Sequence, residues 1–139
     1  MSARTKARKR ALDILYSADV RQSPIATILA AEAERAASEP ARAASWLYAR
    51  EIVDGVQDHL VEIDELIETY AQGWTVSRMP AVDRAIVRIG IWELLYNDEV
   101  PTGVAISEAV DAAATLSTDD SSGFISGLLS KIAQINATD

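Results

Sequence analysis

A chain of 139 residues that is 49% hydrophobic and 24% charged can bury one cooperative core, and it has no apolar run near the ~20 residues that span a bilayer. With no cysteine, it excludes disulfide frameworks, thiolate metal sites and cysteine nucleophiles. The charge is divided: the first ten residues hold five of the thirteen Lys and Arg, leaving eight against twenty-one acidic side chains, a formal −13, on residues 11–139.

The five cations are Arg4, Lys6, Arg8, Lys9 and Arg10. A polycation on an acidic body points to a polyanionic partner. Asp13, Ser17 and Asp19 interrupt any apolar region of a signal peptide, so a cytoplasmic location is expected. Ala7, Ala11, Ile14, Leu15 and Ala18 form one helical stripe ending near Val20. Arg4 and Arg8 project near the side of Ala11 and Leu15, Lys6 and Arg10 toward the opposite flank, and Lys9 away. Charges on all sides predict two opening turns that overhang the body or stay disordered, with the helix anchored from Ala11.

Ser23-Pro24 predicts a helix start, serine as N-cap and proline at the first helical position, for a helix running to about Ala37. Pro40 breaks the pattern and a third segment begins near Ala41. There Trp46, Ala49, Val53, Val56, Leu60, Ile63, Ile67 and Tyr70 recur at alternating spacings of 3 and 4, a heptad seam. A straight helix over 41–72 would be ~48 Å long, against a domain diameter of ~37 Å. A break near Gly55 to Asp58 is therefore expected, with Asp58 as a cap. The competing reading is a protruding coiled coil that dimerises.

Gly73-Trp74 to Met79-Pro80 reads as a connector, with Asp83 or the residues just before it capping a mostly apolar, central helix to Tyr96. Pro101-Thr102-Gly103 opens another with small residues at Ala105, Ala109, Ala112 and Ala113, and Asp119-Asp120-Ser121-Ser122 caps the last. The sum is an all-α chain of six to seven helices, expected as one domain over 1–139 with a basic arm at 1–10.

Catalytic material is sparse. The one histidine, His59, lies among acidic neighbours and reads as a surface residue. Gly123 and Gly127 read as a helix-packing pair, and Glu62, Glu65 and Glu68 as a solvated face. No enzyme, cofactor or metal is expected. An acidic body lets nucleic acid bind only locally, through the basic end; five cations on single-stranded phosphates give a salt slope of at most about −3.5. Affinity of that kind calls for a second contributor, such as a partner protein.

The arm followed by Ala11-Leu12-Asp13-Ile14-Leu15-Tyr16, the run Val82 to Leu95, Val100-Pro101, Val104 to Val110 and Ser121 to Leu129 resemble the NusB family of transcription antitermination factors over nearly the whole chain. The resemblance implies two small helical bundles packed together. It implies binding of boxA-type leader RNA of ribosomal RNA operons together with NusE, a small ribosomal-subunit protein, within a transcription elongation complex. The family's arginine-rich motif falls on Arg4, Lys6, Arg8, Lys9 and Arg10, and its RNA and partner surfaces on Tyr16, Asp120, Ser121 and Phe124; core packing is the competing role for both aromatics. The chain departs from the family at Ser107, Ala114 and Ser126, where polar contacts are lost, and at Thr5, where some members keep an arginine. A homodimer that hides the arm is compatible with this reading. Two alternatives are an accessory domain of an RNA-modifying enzyme, which would require a longer chain, and an interaction module that dimerises through the heptad seam.

Overall fold

The computed structural model describes residues 2–137, and every regular element among them is helical. The order is α1 (Ala3–Arg21), α2 (Ile25–Ser38), α3 (Pro40–Asp58), α4 (Leu60–Tyr70), a 3₁₀ turn (Val76–Arg78), α5 (Ala81–Tyr96), α6 (Thr102–Leu116) and α7 (Asp119–Ala137). None of these helices is long and apolar enough to cross a membrane. The chain divides into two compact units, residues 1–54 and 55–139.

In the first unit α1 packs on α2 and reaches the start of α3. The expected stripe is buried, with Ala7, Ala11, Ile14, Leu15 and Ala18 all at 7% exposure or less. The arm departs from expectation: it is the opening of α1, helical from Ala3, with Ser2 as N-cap accepting from the Thr5 N–H at 3.0 Å. Pro24 stands outside α2 as its N-cap position, ψ 135°, so the helix starts one residue later than Ser23-Pro24 predicts. Pro40 is the first residue of α3, where its missing N–H costs nothing.

The long third segment does break, at His59, whose φ −117° and ψ 18° separate α3 from α4. Asp58 closes α3 and does not cap α4. The seam is spent inside the chain: Ala49, Val53, Val56, Ile63 and Ile67 are buried, which removes the protruding coiled coil.

The second unit is built around α5, which packs on α4, α6 and α7. A helix apolar on most sides must be covered on most sides, and Val87 and Ile91 are fully buried. Small residues set the spacing. Ala105, Ala109 and Ala113 line the buried face of α6. A side chain at Gly55 would stand 1.9 Å from the Trp92 indole nitrogen. Arg88 on α5 grips Asp64 on α4 through two bonds of 3.0 and 2.9 Å, a fork that fixes one geometry. Asp83 is not a cap: Pro80 holds that position, and the buried Asp83 carboxylate turns to α7. Gly123 and Gly127 pack against nothing; a Cβ at either would enter open space. His59, half-buried, stacks on Tyr96 at 3.7 Å between ring centroids.

Candidate nucleic-acid interface

A helix that carries five cations and no acid in its first half sets its charge against its own dipole, whose N-terminal end is positive. Something other than intrinsic preference must hold it. Tyr48 of α3 does so: the Arg4 guanidinium carbon lies 4.2 Å from the Tyr48 ring centroid and that of Arg8 5.9 Å. The face of an aromatic ring attracts a guanidinium while the group keeps its in-plane donors. Arg8 is thereby buried to 9% exposure, and Arg10 donates from Nε to the Ser45 hydroxyl at 2.7 Å. The overhanging arm is therefore corrected to an ordered one, because arginine stems and planar head groups pack where ammonium groups would not.

Sequence reasoning missed Tyr48 and Ser45, which lie off the heptad seam. The signal was present in Arg4 and Arg8, one turn apart and on the side of the buried stripe.

The cations are thus sorted into two sets. Arg8 and Arg10 face inward, with Arg4 against the same ring. Lys6 and Lys9 are exposed and continue into a stripe of exposed residues, Lys6, Lys9, Asp13, Tyr16 and Val20, at alternating spacings of 3 and 4. Tyr16 is 43% exposed and Val20 56%, so Tyr16 is not core. Asp13 interrupts the positive stripe. Partial desolvation of its carboxyl raises its pKa above the ordinary 3.8; Lys9 pulls the other way, Glu32 adds repulsion, and Arg10 again lowers it.

In the second unit, Asp120, Ser121 and Phe124 occupy the first turns of α7. Asp120 is exposed, Phe124 is half-buried with its ring 6.2 Å from that of Trp74, and Ser121 is turned inward. The Ser121 hydroxyl donates to Asp83 Oδ2 at 2.7 Å, and its N–H donates to the Thr118 hydroxyl, which is the true cap of α7. Ser121 thus fixes the helix that carries Phe124. Among the described residues no group of three or more His, Cys, Asp or Glu could hold a metal ion.

The sequence profile of the NusB family matches residues 5–134. The chain is 78% identical over 134 residues to the transcription antitermination protein NusB of Leifsonia xyli subsp. xyli, covering 96% of this chain and 93% of that one. Among solved structures, NusB of T. maritima is 28% identical with a TM-score of 0.81, covering 94% of this chain and 90% of that one. A structure of the antitermination factors NusB and NusE in complex with double-stranded RNA is 26% identical with a TM-score of 0.81, covering 97% and 98%.

Proposed function

The chain belongs to the NusB family of non-enzymatic transcription antitermination factors, and from that premise we propose that it binds boxA-type leader RNA of ribosomal RNA operons together with NusE and thereby promotes processive transcription. The observation that carries this reading is the outward stripe of α1, in which Lys9 and Lys6 stand about two and three turns from the exposed Tyr16 ring. Cations for phosphates beside an aromatic face for bases are the two parts of a single-strand RNA site. Arg4, Arg8 and Arg10 hold that stripe in helical form, and phosphates arriving at the N-terminal end of α1 meet the positive pole of its dipole. On the second unit, Asp120, Ser121 and Phe124 are a separate set of RNA or partner contacts in this reading, Ser121 by positioning.

Support for a protein partner comes from the relative solved with NusE and RNA. It also comes from charge. With the guanidinium of Arg8 buried, at most four of the five arm cations face solvent, and their salt slope is at most about −2.8. RNA affinity of that order is completed by a second protein in the cytoplasmic elongation complex. The test is a titration of boxA-type and scrambled RNA with and without NusE. Preference for the boxA-type sequence, enhanced by NusE, is the expected result; equal weak binding of both RNAs in either condition would overturn the proposal.

A further inference from the structure

Trp74 is the largest aromatic side chain exposed on the second unit, at 45%, and it is held in place from several sides. Gly73 turns the chain with φ 81°, a conformation that glycine adopts without a Cβ penalty. Just after Trp74, the Val76 N–H donates to Glu68 at 2.9 Å, and Arg84 donates to the carbonyls of Val76 and Met79 at 2.8 and 3.2 Å. A loop anchored this way presents its indole at little entropic cost on binding. The ring leans on Phe124 at 54°, so the two aromatic faces make an angled shelf and not a closed stack.

From Phe124 the same face of α7 runs through Gly127 to Lys131, spacings of three and four that keep all three residues in line. Gly127 is bare: no atom beyond its own stretch of helix lies within 4 Å of where its Cβ would be. Glycine inside a helix normally weakens it, and here no packing neighbour requires one. Lys131, exposed, carries its ammonium 5.7 Å from the Tyr70 ring centroid. From Phe124 to Lys131 the helix rises ~10.5 Å, the length of about three stacked nucleotides at ~3.4 Å each.

We infer that Trp74, Phe124 and Lys131 form a stacking track for a single-stranded RNA segment, with bases on the Trp74–Phe124 shelf, the strand passing over the bare Gly127, and a phosphate at Lys131. The charge pattern favours this occupant and this direction. Asp119 and Asp120 at the start of α7 repel phosphates and accept hydrogen bonds from base amino groups, while the cation stands at the far end. The inference rests on the proposed RNA function and extends it from Phe124 to Trp74 and Lys131.

The test uses the full chain and a short single-stranded boxA-type RNA, read by fluorescence anisotropy across a salt series. Trp74→Ala weakens binding ~5- to 160-fold, the loss of one stacked base, with an unchanged salt slope; Trp74→Tyr keeps most of the affinity. Lys131→Gln flattens the slope by ~0.7. Gly127→Gln separates docking from folding, because it raises the melting temperature and weakens RNA binding together. If Trp74→Ala and Gly127→Gln bind RNA like wild type while Lys6→Gln weakens it, the track is overturned and the proposed function stands. If these variants lose NusE and keep RNA, the face belongs to a protein and the track is overturned. If wild type does not bind the RNA, both fall.

Discussion

Tyr48 shows how one aromatic residue decides the state of a charged segment. Its ring faces two guanidiniums from successive turns of α1, so the arm is ordered by cation–π contact where like charges alone would open it. A double-mutant cycle between Arg8→Ala and Tyr48→Leu, followed by urea unfolding, should give a coupling of about 0.5–2 kcal/mol. A coupling near zero would mean that the arm is held by something else. Asp13 makes a second prediction at this scale. Its folded pKa lies above the ordinary value of 3.8, so its ionisation works against the fold. Its favourable contribution is complete below 3.8 and lost as pH rises through the raised folded value. Asp13→Asn should match wild type in stability at acid pH and exceed it at neutral pH. It should also bind RNA more tightly, since it removes a negative charge from the middle of the cationic stripe; weaker binding would show that Asp13 contacts a base.

Among the elements, the glycines of the second unit separate into two kinds. Gly55 admits the Trp92 indole, and a Cβ there would overlap the ring at 1.9 Å from its nitrogen. Gly55→Ala should cost about 1–3 kcal/mol or more. Gly127→Ala, in open space on α7, should instead stabilise by about 0.5–1 kcal/mol. Equal effects in thermal melts would contradict these packing assignments. The sequence made the elements themselves legible, because apolar spacing and proline positions carry most of that information: α5 was marked as central by its few polar residues, and the seam from Trp46 to Tyr70 was too long to stay straight. What it hid were the side-chain choices made by tertiary contact. His59 rather than Asp58 marks the break, Asp83 bonds Ser121 instead of capping α5, and Gly123 and Gly127 are bare. The order of the arm is hidden for the same reason. Periodicity placed Arg4 and Arg8 near the buried side, but nothing in their spacing announced Tyr48 as the acceptor. Tyr16 is exposed, and no periodicity argument distinguishes an aromatic residue at the border of a stripe from one inside it.

For the molecule as a whole, the argument is one of opposed charge. Residues 11–139 carry a formal −13, while five of the thirteen Lys and Arg lie in the first ten residues. Binding should therefore be local, salt-sensitive and stronger when a partner adds surface. The arginines are poor probes of this account because Arg8 and Arg10 also hold α1 in place. The exposed lysines are better ones. The most direct measurement is the salt dependence of boxA-type RNA binding for wild type and a Lys6→Gln/Lys9→Gln variant, with thermal melting as the folding control. The account predicts weaker binding, a slope flatter by ~1.4 for two lost phosphate contacts, and an unchanged melting temperature. The same affinity and the same slope in the variant would contradict it.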